Sequence, residues 1–230
     1  MEAERIQRNI ANVRRRVSTA AEKVQRRADD ITLMAVSKTR PVDEVRAAAA
    51  AGIHDFGENY LQEALEKIQA SGNSDIRWHF IGPIQANKTR AIAEHFNWVH
   101  SVDREKIARR LSEQRPGSLP PLAVCLQVNV SLEDSKSGVA PAELPALARA
   151  VQGLPRLHLR GLMAIPAPTE DRAEQRAAFA RIANLQRDLE DSIPAMDTLS
   201  MGMSADLESA IAEGATMVRI GTDIFGPRKG

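Results

Sequence analysis

A chain of 230 residues with 43% hydrophobic content is long enough for one substantial core, and 31 basic against 30 acidic residues leave a net charge of +1, which argues against a surface built throughout for nucleic acid. A single cysteine, Cys125, excludes a disulfide framework or cysteine metal cage within the chain and fits a reducing compartment. No N-terminal stretch reads as a signal peptide and no apolar run approaches the ~18 residues of a membrane span, so the expectation is a soluble, cytoplasmic protein with neither membrane nor nucleic acid as partner.

Residues 1–28 carry Ile6, Ile10, Val13, Val17 and Val24 at helical spacing, with Arg5, Arg8, Arg14, Arg15, Arg16, Lys23, Arg26 and Arg27 between them. This reads as an amphipathic helix packed on the body, its basic face in solvent; contact of that face with RNA or a membrane is the alternative. Short apolar stretches then recur at 31–37, 53–57, 77–82, 97–102, 121–130, 158–165, 196–201 and 216–221. Helical patterns separate them at 42–51, 59–70, 85–95, 103–114, 141–151, 170–191 and 204–213. "LMAV" and "LAVCLQV" are continuous apolar runs, as strands covered on both faces are. Eight strands alternating with helices predict parallel βαβ units and a single (β/α)8 TIM barrel of α/β class over 1–230; an open doubly wound sheet is the competing architecture.

In such a barrel the ligand site lies where the strands end. Those ends read "AVSK", "FGENY", "WHFIGPIQANK", "VHSVD", "VNVSLEDSKSG", "GLMAIP", "LSMGMS" and "RIGTDIFG", so polar residues and glycines gather at one face. "LSMGMSADLE" sets Ser200, Gly202 and Ser204 before a helix with Asp206 and Glu208 in its first turn, and the next strand ends on Gly221 and Thr222. Hydroxyls, glycines and free helix N–H groups form an anion cup suited to phosphate; an ordinary N-cap by Ser204 is the plainer reading. Lys38 ends the first strand, which neighbours the eighth once a barrel closes. A partly desolvated lysine amine is a Schiff-base nucleophile, and beside a phosphate cup it describes pyridoxal 5′-phosphate (PLP) binding. The plainer reading is an exposed strand-end lysine. The chain has seven lysines against 24 arginines, and arginine cannot form that imine.

"AVSKTRP", "FGENYLQE", "WHFIGPIQANK", "DSKSG", "GLMAI", "LSMGMSADLESAI" and "VRIGTDIFGPR", in this order along the whole chain, resemble the YggS/PROSC family of PLP homeostasis proteins. The resemblance implies a one-domain barrel related to the N-terminal domain of alanine racemase, with PLP held as an internal aldimine on Lys38. It places Asn59 near the ring, Ser200, Gly202 and Met203 near the phosphate with Gly221 and Thr222 completing that cup, and Arg219 near the pyridine nitrogen. Asp223 stands where the family pattern suggests a small apolar residue, beyond the Gly-Thr pair. Met163, Met201 and Met203 suit the faces of a cofactor as thioether gap-fillers, or equally the core.

A guanidinium at the pyridine nitrogen disfavours its protonation and weakens PLP as an electron sink. Racemases of the related barrel add a second proton donor, which in alanine racemase comes from a partner-subunit tyrosine and a second domain; here the one tyrosine is Tyr60, which otherwise reads as a packing residue at a helix start. The implied role is therefore a monomeric PLP carrier or regulator in vitamin B6 and amino-acid homeostasis, delivering PLP to apo-enzymes with little turnover of its own. A weak PLP-dependent amino-acid racemase is the alternative, and an interaction protein working through its basic N-terminal helix is a third. Lys136, with Glu133 and Asp134, is a candidate secondary PLP site during transfer, or a solvated loop lysine. His79 and His100, lacking a nearby carboxylate in sequence, read as packing residues rather than metal ligands. Trp78 and Trp98 read as packing between strands and helices.

Overall fold

The computed structural model describes residues 2–72, 75–131 and 137–227. Eight parallel strands close into a barrel in sequence order: β1 (Thr32–Val36), β2 (Asp55–Glu58), β3 (Arg77–Phe80), β4 (Trp98–Val102), β5 (Leu122–Gln127), β6 (Leu157–Met163), β7 (Thr198–Ser200) and β8 (Met217–Ile220). Closure is made by β1 against β8, with Met34 opposite Arg219. The expected TIM barrel is therefore the fold, and the open sheet is not. Helices α2 (Val42–Ala50), α3 (Leu61–Ser71), α4 (Thr89–His95), α5 (Glu105–Gln114), α6 (Leu144–Gln152), α7 (Arg172–Glu190) and α8 (Leu207–Ala212) follow strands β1 to β7 in turn, and a single turn, α9 (Thr222–Phe225), follows β8. Among the described residues no helix is long and apolar enough to cross a membrane.

The strands are shorter than their apolar runs. Before β7, Met196 spends its N–H on the turn carbonyl of Ile193, and after it Gly202 leaves the extended region with φ +93°. After β5, Val128 still donates to the Met163 carbonyl but lies outside the strand, in an isolated bridge to Val139. The 85–95 helix opens as a 3-10 turn, Ala86–Lys88, before α4. The 204–213 helix starts only at Leu207. Ser204 does not cap it: its hydroxyl accepts from the Asp223 N–H at 3.4 Å, and the Asp206 carboxylate turns back to accept from the Met203 N–H at 2.6 Å. α7, by contrast, has a side-chain cap, Asp171 accepting from Ala173 and Glu174.

The N-terminal helix, α1 (Glu2–Lys23), buries Ile6, Ile10, Val13, Val17, Ala20 and Ala21 against the barrel's helical layer, packing on α2, α8 and α9. Each large aliphatic buried this way contributes about 1.5–3 kcal/mol. Its basic residues are not all a solvated face. Arg5 donates to the Phe225 carbonyl, Arg14 to those of Ala51 and Gly52, and Arg26, just beyond the helix, to that of Ile211. Arg16 bonds the Glu208 carboxylate, the Asp223 carboxylate and the Ser204 carbonyl, so it ties the loops after β7 and β8 together from outside. Asp223 thereby has a partner.

Candidate functional site

Strand order decides which residues meet. β6, β7, β8, β1 and β2 are consecutive neighbours in the closed sheet. Their C-terminal ends carry Met163, then Ser200 to Met203, then Arg219, Gly221 and Thr222, then Lys38, then Asn59. All ten expected residues thus fall on one contiguous arc of the barrel mouth. Lys136, Glu133 and Asp134 lie outside the described residues.

Lys38 is half-buried just past the end of β1, and its two neighbours are fixed. The buried Ser37 donates its hydroxyl to Glu58 at 2.6 Å, and the Ser37 carbonyl accepts from the Lys67 ammonium at 2.6 Å. Thr39 has φ 63°, a left-handed conformation costing a β-branched residue about 1–3 kcal/mol. Its N–H is held by Glu63 at 2.6 Å. Lys67 binds both acids, Glu58 at 2.8 Å and Glu63 at 2.5 Å. Burial raises the Glu58 carboxyl above its ordinary range, and the bonds from Lys67 and Ser37 only partly offset this. The cluster of Glu58, Glu63 and Lys67 therefore clamps the backbone on both sides of Lys38. Sequence reasoning missed it, because Lys67 stands nine positions from Glu58 and 30 from Ser37.

Arg219 is buried in β8, with Nη1 donating to the Ser200 carbonyl and hydroxyl and Nη2 to the Ala164 carbonyl at 2.9 Å. Burial lowers its pKa to about 10, against the opposing fields of Asp206 and Cys125, so it stays cationic at neutral pH. Ser200, Met201 and Met163 are fully buried, whereas Met203 is 39% exposed. The Ser200 hydroxyl is committed to Arg219 and to His100 inside the barrel rather than to the loop beyond β7. Gly202 is required where it stands: an added Cβ would lie 2.5 Å from that of Ala210. Gly82, which the sequence did not single out, lets the end of β3 close on Asn59, since a Cβ there would meet the Asn59 carbonyl oxygen at 2.2 Å. The Asn59 side-chain oxygen is buried and has no hydrogen-bond partner among the described residues. Trp98 stacks on His79 (5.5 Å between centroids) beneath the Arg160 guanidinium, and Trp78 packs on Phe56. His79 does have a carboxylate beside it: Asp55, from another strand, at 2.9 Å. Among the described residues no cluster of histidine, cysteine and acidic side chains has the arrangement of a metal site.

Fold and site together define a class: a barrel mouth with a lysine just past the first strand, a buried arginine on the eighth strand and a glycine-bearing loop after the seventh. The family described as the N-terminal domain of alanine racemase matches residues 2–229. A pyridoxal phosphate homeostasis protein of Pseudomonas aeruginosa is 64% identical over 97% of this chain and 96% of its own. The structure of PipY from Synechococcus elongatus with PLP bound superposes with a TM-score of 0.84 at 37% identity, covering 96% of this chain and 100% of that one. An alanine racemase of Clostridium difficile shares the fold alone, with a TM-score of 0.78 at 14% identity, this chain covering 56% of it. The chain belongs to the pyridoxal phosphate homeostasis protein family.

Proposed function

We propose that this protein binds PLP at the barrel mouth and acts as a carrier that delivers it to apo-enzymes, serving vitamin B6 and amino-acid homeostasis with little catalytic turnover. The residues fit the group: Asn59 offers a buried oxygen with no partner among the described residues, and the loop at Gly202 packs its backbone too closely on Ala210 of α8 for a side chain. When bound, PLP supplies an aldehyde that condenses with an amine and a ring that can take up electrons. Lys38 offers that amine, held in place by its clamped neighbours. Gly202, Met203, Gly221 and Thr222 are read as bordering the phosphate, with Ser200 buried behind that loop, Met163, Met201 and Asn59 as bordering the ring, and Lys136 as a transfer residue.

The low-turnover reading starts from Arg219, cationic at neutral pH and fixed by Ser200 and Ala164 on the strand beside Lys38. Such a group cannot accept a proton, so it keeps a facing ring nitrogen unprotonated and the ring a poor electron sink. Moving protons on two faces of a substrate needs a second acid or base. Tyr60, the chain's one tyrosine, is 54% exposed, and His79 and His100 are wholly buried. We read the protein as a one-domain cytoplasmic monomer. The test is purified, PLP-loaded protein with a panel of L-amino acids, read by chiral chromatography, alongside activation of an apo-enzyme. Activation without racemisation is expected; racemisation at ordinary enzymatic rates overturns the reading.

A further inference from the structure

Barrel interiors of this architecture are filled by layers of apolar side chains. Here a polar row runs through one. The bottom of the barrel holds Asp55, bonded by Arg77 at 2.8 and 2.6 Å. Asp55 Oδ1 lies 2.9 Å from His79 Nε2, His79 Nδ1 lies 3.0 Å from His100 Nε2, and His100 Nδ1 lies 2.9 Å from the Ser200 hydroxyl. That hydroxyl accepts from Arg219 Nη1 at 3.0 Å. The row visits β2, β3, β4, β7 and β8, and because β4 and β7 are not neighbours in the sheet, its His100–Ser200 step crosses the interior. His79, His100 and Ser200 are completely buried, and Asp55 and Arg219 nearly so.

The two ends fix the direction of every bond. Arg219 can only donate and an ionised Asp55 can only accept. His79 must then present Nε2–H to Asp55, which leaves its Nδ1 bare. His100 must present Nε2–H to that Nδ1, which leaves its own Nδ1 bare for the Ser200 O–H. Ser200 then offers a lone pair to Arg219. Each ring is neutral with its proton on Nε2. A proton added to either ring would turn the row around, strip the Ser200 hydroxyl of its acceptor, and set a second buried cation near Arg219. Burial disfavours that charge on both rings, and on His100 the neighbouring His79 and Arg219 disfavour it further.

We propose that Asp55, His79 and His100 are positioning residues for Arg219, forming with Ser200 a one-directional hydrogen-bond chain that aims its guanidinium at the cofactor mouth. The function of the chain rests on the PLP-carrier reading; its direction does not. The first experiment is ¹⁵N NMR of histidine-labelled protein without PLP at neutral pH. Both buried rings should be neutral Nε2–H tautomers. A ring carrying its proton on Nδ1, or on both nitrogens, overturns the chain.

The second experiment compares His100→Leu, which cuts the chain, with His100→Gln, which keeps a donor and an acceptor. The readouts are PLP release rate and the absorption spectrum of the loaded protein, on variants that pass a folding check by circular dichroism. Cutting the chain leaves buried partners unpaired, so His100→Leu should release PLP roughly tenfold faster with a shifted spectrum, and His100→Gln should recover most of this. Release and spectrum unchanged in His100→Leu overturn the positioning role. Should neither variant fold, PLP-dependent movement of the His100 ¹⁵N resonances in the natural protein supports coupling to Arg219, and identical resonances with and without PLP contradict it. A natural protein that takes up no PLP contradicts the carrier reading instead, while the tautomers still decide the chain.

Discussion

Replacing Lys67 with methionine probes the clamp around Lys38. The ammonium is nearly buried (side-chain exposure 6%), Glu58 wholly so, and Glu63 less (30%). Removing one partner of a buried ion pair costs about 3–5 kcal/mol, because a desolvated charge is left behind. The Glu58 end carries most of this, and the part-exposed Glu63 end little. For a protein of this size 1 kcal/mol shifts Tm by about 2–4 °C, so a fall of roughly 6–20 °C is expected. The sign with pH is fixed as well. Burial already holds the Glu58 carboxyl above its ordinary range, and Lys67 opposes that shift. A carboxyl with a raised folded-state pKa favours folding below its unfolded pKa and loses that contribution as pH rises through the folded value. Without Lys67 the folded value rises further, so the deficit should be smaller in mildly acidic buffer, where protonation of Glu58 removes the uncompensated charge, than in mildly alkaline buffer. Thermal melts of the apo-protein and the variant in both buffers measure it. A deficit below ~1 kcal/mol, or one equal in both buffers, refutes the reasoning.

Three further outcomes are expected. The Asp55 carboxyl is held well below the usual carboxylate range: burial works against this, but the bonds from Arg77 and His79 outweigh it. Its contribution is present above the unfolded pKa and lost as pH falls, so the stability gap between the natural protein and Asp55→Asn should be full at neutral pH and close below about pH 4 in acid-unfolding curves. Gly202→Ala forces a side chain into a φ of +93° with its Cβ 2.5 Å from that of Ala210, and should cost about 1–3 kcal/mol in urea unfolding while weakening PLP retention. Burial pushes the Cys125 thiol up to about 12, so a colourimetric thiol reagent should leave the folded protein untouched and label it only on unfolding.

The barrel was legible because its strands are covered on both faces and so read as apolar runs such as "LAVCLQV", each followed by a helical period. The mouth was legible because ligand residues in this fold collect at one end of every strand, so Lys38, Gly202, Gly221 and Thr222 could be picked out by position, while Asn59 and Arg219 came only with the family resemblance. What escaped was everything assembled sideways. Asp55, His79, His100 and Ser200 stand on four different strands, and no local spacing links a histidine to an aspartate 24 positions earlier. Lys67 bonds a residue 30 positions away through a helix that, taken alone, looks amphipathic and ordinary. The Ser204 cap failed for a related reason: its hydroxyl is taken by the Asp223 backbone from the neighbouring loop. Arg5 and Arg14 of α1, and Arg26 just beyond it, looked like part of a solvated face because they donate to backbone carbonyls, which leave no mark in a sequence.

The central claim is that Lys38 is the residue that holds PLP. Borohydride reduction of the PLP-loaded protein, followed by proteolysis and mass spectrometry, tests it most directly. The expected result is one stoichiometric pyridoxyl adduct on the peptide containing Lys38, absent from Lys38→Ala. A principal adduct on another lysine, an adduct that survives in Lys38→Ala at full yield, or no adduct at all contradicts the account.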